Sequence, residues 1–403
     1  MVFRIVVLIF LFLQFSVIAK AEIPFTAAFI RDHQLWIKEG GQETQLTIGR
    51  YIHSPKWSHD GRLLAYIDGD ERGEKSDLFI YDTKTEEHFQ PYPVVMATGF
   101  EWSPVNNQLA YNSGGVLNIT GLKNGRPHGF KNVSLGVNDF TWFPNGKEFI
   151  VSSSSNLLPT GWESVKLYRI PIDANLNPDK IKLFYTLPPN TDDLFATSAS
   201  GLKWSFDGKW ISFIAVPTAS WSMDSNTLCV LSNEGTHFKD VGKMLGFHDW
   251  FKWAPASNRL AYISGEGRFF VENKKTAIAD MPVTLQQKEY TPAGYVDLDL
   301  EWMTPDKVIV ARAKENKKWK EGPAPTMYTA LFLIDIRKNK QEQISHPGKN
   351  ELDEDPQVVG SNLTWIRSKN NESQGDLWLK SGLAGKEQIW IKNIDFPPVF
   401  NPK

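Results

Sequence analysis

Acidic residues recur at one place in this sequence, just ahead of short apolar runs: Asp139, Asp249, Asp297 and Asp299, Asp355, and Asp395. Carboxylates gathered at one point can hold a cation or the basic end of a peptide. Dispersed in turns, the same residues accept backbone N–H bonds instead. Both readings stay open at this level. A second group is aromatic. Trp162, Trp221 and Trp319 each stand outside any apolar run, within the polar stretches 152–163, 216–225 and 313–326. The proline-rich stretch 187–193 adds Asp192 and Asp193. Large aromatics on loops suit recognition of peptide or glycan, although each indole could equally fold back over its own loop.

Other chemistry finds little support. The sequence has no His-Glu-x-x-His zinc helix, no phosphate loop, no dinucleotide fingerprint and no Gly-x-Ser-x-Gly elbow. Its eight histidines are scattered, no two within four residues of each other, so any metal site would have to be assembled from distant segments and its metal is unknown. His248-Asp249 reads as a turn and strand-start pair rather than a catalytic dyad. Cys229 lies within the apolar stretch Leu228-Cys229-Val230-Leu231, the setting of a packed strand residue rather than a nucleophile.

The elements that must position these groups are written as a repeat. Ser54-Pro55-Lys56-Trp57-Ser58-His59-Asp60-Gly61 leads into Leu63-Leu64-Ala65-Tyr66-Ile67 and then Leu78-Phe79-Ile80-Tyr81-Asp82. The same order returns at Trp102, Trp142, Trp204, Trp253 and Trp302, at intervals of 45, 40, 62, 49 and 49 residues. A period of that length with several short β runs per unit predicts propeller blades, because a lone four-stranded sheet cannot bury both of its faces. The Asp-Gly or Asn-Gly pairs at 60–61, 145–146 and 207–208 supply the turn after the first strand. The six tryptophans are expected between blades, as core.

The ends should complete the ring. Residues 25–49 hold second, third and fourth strands without a first, and 355–393 form a degenerate unit. Val399-Phe400-Asn401-Pro402 echoes Glu101-Trp102-Ser103-Pro104 and is expected to be the missing first strand of blade one. Closure of this kind removes exposed sheet edges. The expected fold is therefore all-β, a single propeller of eight four-stranded blades, with seven as the alternative because the last unit lacks its Trp.

Trp57-Ser58-His59-Asp60-Gly61 and Trp204-Ser205-Phe206-Asp207-Gly208, each followed by a strand and a later Leu-x-x-x-Asp strand, resemble the TolB-type propeller repeat. Related repeats occur in the propellers of dipeptidyl-peptidase and prolyl-oligopeptidase relatives. The resemblance spans residues 25–400 and implies the blade rather than a function. TolB adds an N-terminal α/β domain and the peptidases an α/β-hydrolase domain. Neither is expected here, so a Tol-system role is not carried over.

Arg4 followed by the apolar stretch 5–18 and Ala19-Lys20-Ala21 predicts a signal peptide over 1–21 and a propeller domain over 22–403. An uncleaved anchor is the alternative, and no later segment approaches a membrane span. The whole chain carries a net charge of −2, giving no case for nucleic-acid binding. The expectation is a secreted or envelope-associated monomer without a cofactor, binding an envelope protein, peptide or cell-wall glycan through one rim. In that reading Trp162, Trp221, Trp319, Asp192 and Asp193 form the rim, and Asp139, Asp249, Asp299, Asp355 and Asp395 line the channel mouth. The alternative is a propeller enzyme, a polysaccharide lyase or glycoside hydrolase, with an acidic site at that mouth.

Overall fold

The computed structural model describes residues 25–403 apart from 94, 192, 282–287 and 370–371. The expected signal stretch and Asp192 lie outside the described residues. Within them, eight four-stranded antiparallel sheets follow one another along the chain, joined by a two-stranded hairpin at Leu157–Leu158 and Gly161–Trp162. The chain is an eight-bladed propeller. The seven-blade alternative fails because Glu351–Val359, Asn362–Lys369, Gly375–Ser381 and Gln388–Ile394 form a complete eighth sheet without the repeat tryptophan.

Blade two shows how the repeat folds. Its strands are Ile52–Trp57, Leu63–Gly69, Ser76–Asp82 and Glu87–Phe89. Side chains alternate along a strand, and here the alternation divides the second strand between two neighbours. Leu63, Ala65 and Ile67 pack with Phe100, Leu109 and Tyr111 of blade three. Leu64 and Tyr66 pack with Ala28, Ile30 and Leu35 of blade one. Burial on both faces is what forces the sheets to stack.

The turn after the tryptophan caps itself. Ser58 Oγ donates to Asp60 Oδ1 at 2.8 Å, which also accepts the Arg62 N–H at 3.0 Å, while the Leu63 N–H donates back to Ser58 Oγ at 2.9 Å. Ser205, Asp207 and Lys209 repeat the arrangement. Gly61 turns the chain at φ +67°, and a Cβ there would stand 2.1 Å from Asn401 Oδ1. Only glycine meets both demands.

The repeat tryptophans rivet each blade to the one before it. The indole N–H of Trp102 donates to the Lys56 carbonyl at 2.8 Å, Trp142 to Glu101 at 3.3 Å, Trp253 to Lys203 at 3.1 Å and Trp302 to Lys252 at 2.8 Å. Trp204 donates to the Trp142 carbonyl at 2.7 Å. Trp142 and Trp302 are buried, while the other four are half-buried against the inter-blade clusters. Blade eight uses a different device: buried Trp365 donates to Asp353 Oδ1 at 3.0 Å, and Arg367 pairs with the same carboxylate.

The ring closes as the end segments predict. Val399–Phe400 pairs antiparallel with Ala27–Arg31, Ala27 facing Phe400 and Ala28 facing Val399. Among the described residues, no helix is long and apolar enough to cross a membrane.

Candidate functional site

Antiparallel order within every blade gives the propeller two unlike faces. The turns after the repeat tryptophans lie on one. The loops between second and third strands, and the connections from blade to blade, lie on the other, here called the loop face. A funnel opens on the loop face over the central channel. Its mouth is a cavity of about 690 Å³ bounded by Tyr51, His53, Ser54, the blade-two loop 70–73, and Phe396 to Val399 of the closing segment. Asp249, Gln357 and Pro397 belong both to this mouth and to a deeper cavity of about 120 Å³, whose walls add Lys252, Asp299, Leu300, Asp355 and Pro356.

Irregular first strands shape the funnel. The register shifts between His53 and Lys56, Ser200 and Lys203, Asp297 and Asp299, and Glu354 and Gln357. Such bulges kink a strand and re-aim its side chains. Ser54 at φ 54° and Asp355 at φ 50° adopt the left-handed conformation without being glycine. Strain of that kind costs of order 1 kcal/mol and persists only where surrounding structure imposes it. Both residues border the cavities.

The deeper cavity is a site of opposed charges. The Asp355 N–H donates to Asp299 Oδ2 at 3.2 Å. Burial, and then the neighbouring Asp355, push the Asp299 carboxyl well above the usual carboxylate range. Asp355 itself is pushed up to about 6 by burial, with Lys252 opposing and Asp249 reinforcing. Glu354 beside it rises to about 7 through burial and the charge of Asp355. Lys252 Nζ donates to Glu301 Oε2 at 2.8 Å; burial pulls the ammonium down, but Glu301 with Asp249 and Asp299 together hold it above its ordinary value. Lys203, reaching the carbonyls of His248 and Phe251, is pushed down to about 8 by burial. Burial also lowers His248, whose Nε2 lies 3.1 Å from Ser200 Oγ. Around the ring at blade three, burial pushes Glu101 up to about 7 against the attraction of Lys56.

The expected acids separate into two groups. Asp249, Asp299 and Asp355 come together on the cavity walls. Asp139 instead accepts the Gly201 N–H at 2.7 Å and ties blade four to blade five. Asp395 accepts the His33 N–H at 2.8 Å and Gln374 Nε2 at 2.7 Å in the closing connection. Among the described residues, no three His, Cys, Asp or Glu side chains are placed to hold a metal ion.

The loop tryptophans differ from one another. Trp221, 61% exposed, stands on the short helix Ala219–Ser222 with Phe195 edge-on at 5.4 Å. Trp319 meets Phe269 of the blade-six loop edge-on at 4.6 Å and donates to the Pro323 carbonyl at 3.1 Å. Trp162 pairs with Leu157 in the blade-four hairpin. Asp193 is exposed, and its carbonyl accepts Lys243 Nζ at 2.6 Å.

Sequence reasoning missed the residues directly before the repeat tryptophans: Lys56, Glu101, Lys203, Lys252 and Glu301. The repeat contained the signal. Neighbouring residues on a strand face opposite ways, so when Trp57 turns to blade one, Lys56 turns to blade three and donates to the Phe100 carbonyl at 2.8 Å. Tyr51, His53 and Phe396 were also missed, because only ring closure brings the closing segment beside blade two.

No family model matches the sequence, and no curated protein matches it. Solved propeller structures do. Dipeptidyl peptidase 4 from Porphyromonas gingivalis is 11% identical with a TM-score of 0.57, over 92% of this chain and 58% of that one. The dihydro-heme d1 dehydrogenase NirN, solved in complex with DHE, is 13% identical with a TM-score of 0.58, over 93% and 74%. A puromycin hydrolase S511A mutant is 10% identical with a TM-score of 0.53, over 86% and 54%. TolB from Acinetobacter baumannii is also similar, at a looser TM-score of 0.38. Peptidase propellers are thus among the structural neighbours, in line with the repeat. At these identities the likeness shows the fold alone, and the chain spans about half the length of the peptidases it matches.

Proposed function

We propose that this chain is an exported, non-catalytic binding propeller that recognises an envelope protein, peptide or cell-wall glycan on its loop face, with part of the ligand entering the funnel. The observation that carries this reading is the shared face. The 690 Å³ mouth opens on the same side as the loops bearing Trp162, Trp221 and Trp319. A concave, partly apolar entrance with a few convergent polar groups is the usual form of a binding site. Phe396 and Tyr51 offer aromatic surface at the entrance. Asp249, with Asp355 below it, favours a ligand whose leading end is basic.

A specific observation also favours an enzyme. Carboxyls held protonated toward neutral pH are what a general acid requires, and Asp355 and Glu354 fit that description. The binding reading stands first because the wide mouth and the aromatic loops serve recognition without further chemistry.

Co-sedimentation of the mature chain with cell-wall sacculi and with membrane extract tests the proposal. The comparison is with a funnel variant, Tyr51→Ala with Phe396→Ala, and a rim variant in which Trp162, Trp221 and Trp319 are alanine. Retention should fall at least tenfold in the funnel variant at unchanged melting temperature, and measurably in the rim variant. Equal retention of all three proteins, or none of any, rejects recognition through this face.

A further inference from the structure

A second cavity on the loop face lies away from the funnel, between the loops of blades five and six. It measures about 230 Å³, and its walls include Phe195, Trp221, Asp224, Asn226, Lys243 and Glu266. We propose that this pocket is a saccharide subsite that takes one pyranose ring against Trp221. The inference rests on the loop face being a recognition surface and names the ligand class for this part of it.

The platform is held rather than loose. Asp224 accepts Arg268 Nε at 2.8 Å from the next blade, and the Asp224 carbonyl accepts the Gly267 N–H at 2.7 Å. Ser225 Oγ donates to Glu266 Oε1 at 2.6 Å. These bonds pin the loop carrying Trp221 to blade six, so little conformational freedom remains to be lost on binding. Phe195 braces the indole from the side. The outward indole is left uncovered, although an isolated Trp could have folded back.

The polar groups narrow the ligand. Lys243 Nζ is engaged by the Asp193 carbonyl and by Thr227 Oγ1, and Asp224 by Arg268. Asn226 is 2% exposed, and its Nδ2 donates to the Ser222 carbonyl at 2.8 Å, which fixes the orientation of the amide. Its Oδ1 has no hydrogen-bond partner. A buried amide oxygen is almost always satisfied, so this one calls for a donor. A pyranose supplies both requirements: an apolar C–H face for the indole and hydroxyl donors at its edge. An aliphatic or phenyl side chain of a peptide would cover the indole and leave the amide oxygen open. The volume falls below the roughly 300–1,000 Å³ of sites for drug-sized ligands, which suits a single ring of a longer chain.

The test is saturation-transfer NMR and calorimetric titration of the mature chain with two probes, chitotetraose and cellotetraose, and with tetra-alanine as a peptide probe. The proteins are wild type, Trp221→Ala, Asn226→Ala and, as a control on the opposite face, Lys209→Ala. The inference expects one tetrasaccharide to bind wild type and Lys209→Ala alike, with at least a tenfold loss in Trp221→Ala at unchanged melting temperature and a smaller loss in Asn226→Ala. Trp221 is exposed, so its variant remains folded even if Asn226→Ala does not. Absence of saccharide binding, binding equal in wild type and Trp221→Ala, or Trp221-dependent binding of tetra-alanine alone overturns the saccharide subsite. None of these removes the funnel reading, which is decided separately by the co-sedimentation of wild type and the funnel variant Tyr51→Ala with Phe396→Ala.

Discussion

The backbone N–H of Asp355 donates to Oδ2 of Asp299 across the boundary between blades eight and seven, 3.2 Å away. The contact brings two carboxyl-bearing residues onto one small buried cavity, where both cannot ionise cheaply. Lys252 lies on the same wall but is committed to Glu301. The centre of the propeller therefore retains protons that ordinary carboxyls release.

Stability should depend on pH accordingly. Asp299, Glu354 and Asp355 all have folded pKa values above their ordinary ones. Between about pH 4 and 7 these three groups bind more protons in the folded chain than in the unfolded one, so their contribution to stability falls as pH rises through that window. Asn at position 299 removes one member of the pair. Asp299→Asn is expected to melt above wild type by roughly 1–3 °C at pH 7.5, with the difference vanishing near pH 4. Calorimetric scans at the two pH values check this, and an equal shift at both would contradict it.

Ring closure rests on a few bonds contributed by the last residues. Trp57 donates to the Val399 carbonyl at 3.0 Å, Asn401 Nδ2 to the Gly61 carbonyl at 2.8 Å, and the Asn401 N–H to Thr26 at 2.9 Å. Deleting residues 399–403 removes these bonds and exposes the edge of Ala27–Arg31. A loss of about 3–5 kcal/mol is expected from the bonds and the apolar contacts together. Urea unfolding measures it, and an unchanged midpoint would show that the ring does not depend on this strand.

Two tryptophans should respond very unequally to the same substitution. Trp302 is 3% exposed and donates to the Lys252 carbonyl, so Trp302→Ala should cost about 3–5 kcal/mol. Trp221 is 61% exposed, and Trp221→Ala should stay within about 0.5 kcal/mol of wild type. Denaturant midpoints of the two variants separate the rivets from the recognition surface.

The blades were legible because the repeat states the same instruction many times. A tryptophan and an alternating apolar strand recur at spacings of 40–62 residues, with a self-capped Asp-Gly turn at 60–61 and 207–208, and the C-terminal echo at Val399-Phe400-Asn401-Pro402 disclosed the closure. The eighth blade was harder because Trp365 and the Asp353–Arg367 pair do there what a first-strand Trp does elsewhere. The candidate site was legible only in part. Asp249 converges with Asp299 and Asp355 because it precedes its first strand, whereas the other two sit within theirs at register shifts, all around one axis. Asp139 and Asp395 occupy comparable sequence positions, but Asp139 accepts the N–H groups of Phe140 and Gly201, and Asp395 the N–H of His33 and the side-chain amide of Gln374. No local pattern distinguishes the two fates, since the bulges that aim Asp299 and Asp355 depend on pairing with the second strand. Tyr51 and Phe396 lie more than three hundred residues apart and meet only when the ring closes.

The central claim, recognition through the loop face, is tested most directly by site-specific photo-crosslinking. A photoreactive phenylalanine analogue placed at Phe396 or Trp221 samples the loop face, and one at Lys147 or Lys209 samples the opposite turns. Each protein is expressed in its native envelope, and crosslinked adducts are identified by mass spectrometry. The account predicts a specific adduct from the loop-face positions and none from the opposite turns. Adducts formed only from Lys147 or Lys209 would contradict it.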